Sequence, residues 1–231
     1  MSTIAISPVH RAVRFYEAPI GKKVVMALTG VILFGYVLAH LLGNLQIFGP
    51  PDQINKYAAF LHNPANAGLL WVARSALLLA VILHIVASIQ LWNLKREARP
   101  VAYIKKDDAA ATYASRTMMW SGPIVAAFVI YHLMQFTFGV GGTRYSPSDP
   151  YGNVIAGFRN PLVSIAYVIA MALLCLHLRH GLWSAFQTLG VCHPRYTPRI
   201  RALASLAALL IFFGFASIPV AILAGVVPQI F

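Results

Sequence analysis

Charge is what this chain has least of, and acidic charge above all: only six Asp and Glu stand in 231 residues, and charged residues of both signs make up 10%. A soluble domain carries about 25%, so a soluble protein of this size would lack the polar surface to cover itself. Cysteine is rarer still, with two residues. Cys175 and Cys192 have neither the spacing of a metal site nor the number for a disulfide framework, and they read as small buried or interfacial residues. No G-x-G-x-x-G run is present, so a dinucleotide fingerprint is missing. No cysteine cluster offers an iron–sulfur site. The first twenty residues hold Arg11, Arg14 and Glu17 without an apolar core and cleavage site, and do not read as a signal peptide.

What fills the space is apolar: 59% of the chain with glycine left out of the count, against roughly 45–50% with glycine included in ordinary globular domains. Five apolar stretches reach the roughly 20 residues that cross a bilayer. They lie near 24–46, 68–94, 117–139, 161–188 and 202–227. Breakers separate them: Gly49-Pro50-Pro51-Asp52, Arg99-Pro100, Ser146-Pro147-Ser148-Asp149-Pro150 and His193-Pro194. No soluble domain fits between the spans. The expectation is an all-α membrane protein, one compact helical bundle in a single domain covering the whole chain.

The formal net charge of +12 could suggest nucleic-acid binding, but that needs a soluble scaffold with a basic face. Here the basic residues sit between apolar runs, which is the pattern of topology control. The N-terminal segment holds Arg11, Arg14, Lys22 and Lys23; the second connection Lys95, Arg96, Arg99, Lys105, Lys106 and Arg116; the fourth Arg195, Arg199 and Arg201. Those regions hold thirteen of the eighteen, while the first and third connections hold only Lys56, Arg144 and Arg159. The positive-inside rule then puts the N-terminus in the cytoplasm and, after five crossings, the C-terminus on the other side. The basic cytoplasmic face could dock a partner subunit or bind anionic lipid.

Histidine inside a bilayer is costly and usually functional. The first four spans carry His40, His84, His132, and His177 with His180; the fifth carries none, and His10, His62 and His193 lie outside the spans. His40 and His132 are 92 residues apart, and His84 and His177 are 93 apart. Each pair therefore sits at similar positions on helices running the same way. His40 lies 17 residues beyond Lys23 and His132 lies 16 beyond Arg116, roughly 25 Å from the cytoplasmic edge. His84 lies 11 residues before Lys95, about 16 Å from that edge. Two pairs at two depths result. A pair of neutral imidazoles across a four-helix core is an axial site for a b-type haem. Gly35 and Gly43 beside His40, Ala87 and Ser88 after His84, and Gly181 after His177 offer room for a porphyrin, although small residues also pack helices closely. On the fourth span, depth matching to His84 prefers His177. His180 lies closer to the cytoplasmic edge, where it could bond a propionate, a quinone or backbone, and the choice stays open on spacing alone.

Ala27-Leu-Thr-Gly30 followed by His40-Leu-Leu-Gly-Asn44, and the run His177-Leu-Arg-His-Gly-Leu-Trp-Ser-Ala-Phe-Gln-Thr-Leu-Gly190, resemble the first and fourth spans of the cytochrome b membrane-anchor subunit, dihaem type, of succinate dehydrogenase and fumarate reductase. The resemblance covers essentially the whole chain, and the fourth-span run is its most specific part. It implies five transmembrane helices, a four-helix bundle holding two haem b and a peripheral fifth helix. It implies axial ligands at His40, His84, His132 and His177, the last followed by glycine four residues on, here Gly181. His84 and His177 would hold the haem nearer the cytoplasm, His40 and His132 the distal one.

The same resemblance implies a place in a respiratory complex of the inner, cytoplasmic membrane, complex II. A flavoprotein oxidises succinate, an iron–sulfur subunit passes electrons on, and this chain conducts them to a quinone, with menaquinone the expected type. The chain has no catalytic residue for succinate, and the complex can form a higher oligomer. Haem propionates need donors, and Lys23, Arg74, Arg116, Arg179 and His180 are candidates. Arg74 and Arg179 stand out because charge within a span is costly unless paired, although both could also snorkel to the headgroups. Some relatives use a membrane-embedded glutamate near the distal haem, but Glu17, Asp52, Glu97, Asp107, Asp108 and Asp149 all lie at edges or in connections. For quinone chemistry that leaves the outer-side polar group of Asn44, Gln46, Tyr57 and His62, or a cytoplasmic-side site near Trp120.

Three other readings compete. The cytochrome b of a hydrogenase or formate dehydrogenase also pairs histidines in a membrane bundle, but the four-span regularity and the His177–Gly190 run weigh against it. A haem-free transporter with a histidine proton relay would show inverted repeats and broken helices. A haem-free anchor would only dock partners.

Overall fold

The computed structural model describes residues 8–98, 113–140 and 145–228. The topology markers Arg99, Lys105, Lys106 and Arg144, with Pro100, Asp107 and Asp108, lie outside the described residues. The described chain is helical: α1 (Pro8–Glu17), α2 (Pro19–Asn44), α3 (Pro51–His62), α4 (Ala67–Glu97), α5 (Tyr113–Phe136), α6 (Pro150–Phe158), α7 (Pro161–Thr188) and α8 (Thr197–Leu223). Among the described residues there is no strand. The five long helices, of 24 to 31 residues, are about 36–46 Å long and apolar enough to cross a membrane. This is an all-α, multi-pass membrane protein.

The spans match the sequence expectation closely, and their ends have local causes. α2, α3, α6, α7 and α8 each begin with proline in the first turn, where the missing N–H costs nothing and the fixed φ suits a helix. Asn160 and Asp149 cap α7 and α6, accepting from the Leu162 and Gly152 amides at 3.0 Å. The third and fifth spans stop at Phe136 and Leu223, short of the expected 139 and 227. The last turn of α8 closes when Gly225 takes φ +70° and the Val226 amide donates back to the Ala221 carbonyl. Pro123 and Pro219 sit inside α5 and α8, yet both helices run on unbroken.

Three elements were not visible as helices in the sequence. α3 and α6, drawn from the breaker-rich connections, pair at one end of the bundle. The Asn55 side chain ties them together, donating to Asp149 Oδ1 and accepting from the Tyr151 amide, both at 2.9 Å. Beneath them Ile47, Ile54, Tyr151, Ile155, Phe158, Ile218, Ile222 and Val227 form the larger buried cluster of the molecule, so this end is a folded cap. α1 sits at the opposite end. It crosses the start of α2 where Gly21 is needed, because a Cβ there would collide with the Phe15 carbonyl. Tyr16 of α1 donates to Gln90 of α4 at 2.8 Å.

Within the bundle α2 packs on α4 and on α7, and α5 packs on α7. Among the described residues α4 and α5 do not form a packed pair. α8 stands outside the four, but α7 and α8 make the most extensive helix pairing in the molecule, through small and branched residues such as Ala204, Ala208 and Ile211. Close backbone approach at small residues is how helices associate where lipid removes the hydrophobic drive. Leu41 of α2 lies over Gly214 of α8, where a Cβ would come within 2.9 Å of its methyls.

Candidate cofactor site

The packing sides of the bundle are α2–α4, α2–α7 and α5–α7; its diagonals are α2–α5 and α4–α7. The histidine pairs span the diagonals. His40 of α2 meets His132 of α5 with ring centroids 5.7 Å apart and planes at 81°. His84 of α4 meets His177 of α7 at 6.2 Å and 59°. The first pair lies about one turn from the cap end, the second in the half toward α1.

These separations carry chemical meaning. An imidazole nitrogen sits about 2.0 Å from a bound metal and about 1 Å from its own ring centroid, so two rings on one ion have centroids about 6 Å apart. Among the described residues no group of three or more His, Cys, Asp or Glu side chains comes together. Two imidazoles at this separation could share one metal ion, with the rest of its shell left open. A porphyrin could complete such a shell, with His40 and His132, or His84 and His177, as the residues that would hold it.

The ring nitrogens support the same use. His84 Nδ1 lies 3.1 Å from the Met26 carbonyl and 3.2 Å from the Thr29 hydroxyl. A carbonyl only accepts, so Nδ1 carries the proton and Nε2 keeps its lone pair. Thr29 is itself spent on the Val25 and Met26 carbonyls, at 2.7 and 3.1 Å. His177 Nδ1 is buried without a partner among the described residues, as is Ser121 Oγ on the facing α5. Around the cap-end pair, Tyr36 stacks on His40 at 5.4 Å, and Phe128, Phe136 and Tyr167 surround His132. Phe215 reaches in from α8, 5.8 Å from His40.

Small residues divide into two groups. Gly35 and Gly181 have nothing within 4 Å of where a Cβ would stand; Gly181, four residues past His177, shares its face of α7, whereas Gly35, five residues before His40, lies well round α2 from it. At Gly43 the Tyr57 ring occupies that place, 3.0 Å from a Cβ position. Its smallness serves the seat of α3 rather than a cofactor. Ala87 is fully buried, and Ser88 is exposed and bonded to the Ile85 carbonyl at 2.8 Å.

The other sequence candidates are scattered. His180 takes part in neither ring pair. Asn44 donates to the His40 carbonyl at 2.8 Å and its amide nitrogen lies 3.3 Å from the His40 ring. Arg74 is exposed, 5.4 Å over Trp71 and 3.4 Å from His62 Nε2. Arg179 donates to Ser205 of α8 at 3.2 Å, away from the His84–His177 pair. Lys23 and Arg116 are exposed, and Trp120, 75% exposed, faces outward as an interfacial aromatic. Gln46 is half-buried and the Tyr57 ring lies against Gly43, while His62 sits with Arg74, so Asn44, Gln46, Tyr57 and His62 are not brought together as one group.

Sequence reasoning missed Thr29, Gln135, Tyr167 and Phe215. Gln135 had a signal: a polar side chain in an apolar span, three residues past His132 and hence on its face. Tyr167 and Phe215 come from α7 and α8, and no spacing within their own helices announces them.

No family model, curated protein or solved structure matches this chain.

Proposed function

We propose that this chain is the dihaem cytochrome b anchor of a succinate:quinone oxidoreductase in the inner, cytoplasmic membrane. The observation that carries the reading is the pair of imidazole contacts across both diagonals of the four-helix bundle, at separations suited to one metal between each pair. His40 and His132 would hold one haem b, and His84 and His177 the other; bound haem supplies one-electron transfer along the bundle axis. The chain's own contribution is to fix each imidazole, to keep water out with aromatic and aliphatic side chains, and to leave room at Gly181. A flavoprotein and an iron–sulfur subunit supply the succinate chemistry and dock on the basic face at the α1 end, taken as cytoplasmic. The electron acceptor is a quinone, menaquinone in this reading, and its protons come from the Asn44 and Tyr57 neighbourhood, because no carboxylate lies within a span.

A pyridine haemochrome assay on the purified chain tests the reading, with two haems b per chain expected. A haem-free preparation that nonetheless holds its fold would sink it.

A further inference from the structure

His132 has a hydrogen-bond partner unlike that of His84. Its Nδ1 lies 3.4 Å from the Tyr167 hydroxyl, at the long end of hydrogen-bond range. Tyr167 is buried, and its hydroxyl donates to Gln135 Oε1 at 2.9 Å, with Gln135 only 4% exposed. A phenol has one proton. With that proton committed to Gln135, the phenol oxygen can only accept, and His132 Nδ1 must be the donor. The parts of this chain are held tightly. Phe128 and Phe158 meet the Tyr167 ring edge-on at 4.8 Å each. A Cβ at Gly157 would stand 2.9 Å from Gln135 Nε2, so glycine there leaves the amide its place.

We propose that Tyr167, oriented by Gln135, is a positioning residue that fixes the proton of His132 on Nδ1 and turns the Nε2 lone pair to the space shared with His40. This rests on the haem reading above and extends it. A ligand imidazole that donates its other N–H to an acceptor is a more basic ligand, and a phenol that is itself donating is a better acceptor than a free one. The Tyr167–Gln135 pair therefore makes His132 a stronger donor to iron and favours the oxidised state of the cap-end haem. The His84 side achieves the same tautomer with a backbone carbonyl, which no side-chain change removes.

The test is a redox titration followed optically on the purified haem-loaded protein, together with the electron paramagnetic resonance spectrum of the oxidised form. Tyr167→Phe should keep two haems, shift one midpoint potential upward and change one of the two low-spin signals, leaving the other haem as it was. Gln135→Leu, which leaves the phenol in place, should shift the same haem in the same direction by less. A packing role alone predicts no shift, since phenylalanine fills the same ring volume. Two haems with unaltered potentials and signals in both variants would overturn the proposal and leave the haem reading standing. Absence of haem from the unmodified protein would overturn both. If Tyr167→Phe does not assemble, the Gln135→Leu titration decides by the same criterion.

Discussion

A single turn of helix separates His177 from His180, and the structure distinguishes them by direction rather than depth. Only His177 faces His84. On the proposed function, His177→Ala should remove one of two haems, while His180→Ala should keep both; haemochrome quantitation of the two variants checks it, and the reverse result would exchange the roles. At the cap, Tyr151 lies in the larger buried cluster. It is 3% exposed and its hydroxyl donates to the Pro228 carbonyl, and burial pushes the phenol above its ordinary value of 10.0. With the folded-state value above the unfolded one, the stabilisation is fully present below about pH 10 and is lost as pH rises through the raised value. Tyr151→Phe should cost about 1 kcal/mol at neutral pH, seen as faster proteolysis between residues 145 and 160, and should abolish the alkaline loosening. The exposed Asp52–Lys56 pair holds the Asp52 carboxyl below its usual range, but an ion pair in open solvent adds little.

Elements show how glycine acts in opposite senses along the same bundle. Gly181 stands beside open space, and Gly214 stands under Leu41. Gly181→Leu should leave α7 folded, since leucine is a better helix former than glycine, while filling the room beyond His177. Retained helicity by circular dichroism with loss of haem is the expected outcome; undiminished haem would mean that the space is lipid-facing. Gly214→Val should instead strain the α2–α8 contact by about 1–3 kcal/mol, read as a lower denaturation midpoint in detergent. The elements also divide by legibility. The five spans could be read because apolar length is a property of the local sequence. α3 and α6 could not, because what holds them is not local: Asn55 bridges to residues 94 and 96 positions away, and the buried cluster beneath them draws on several helices.

For the whole molecule, what the four long helices bring together is the two histidine contacts across the diagonals. The charge distribution gives the bundle its expected orientation. Reporter fusions after Glu97 and after Arg195 should report a cytoplasmic location, and a fusion within 145–149 the opposite one, by the positive-inside rule. An inverted pattern would put the cap end in the cytoplasm.

The apolar runs, the basic asymmetry and four histidines matched in pairs along the chain were determined by the sequence alone. Helix length, span count and depth depend on rise per residue and on the cost of moving charge into lipid, and both are local quantities. Which histidine faces which, which of two neighbours on α7 turns inward, and whether a glycine leaves space or receives a ring were decided only by the tertiary structure. Those depend on the rotation of each helix about its axis and on which pairs of helices pack. The partners that set rotation, Tyr167 and Gln135 for His132, the Met26 carbonyl for His84 and Leu41 against Gly214, come from elsewhere in the chain, where no periodicity connects them.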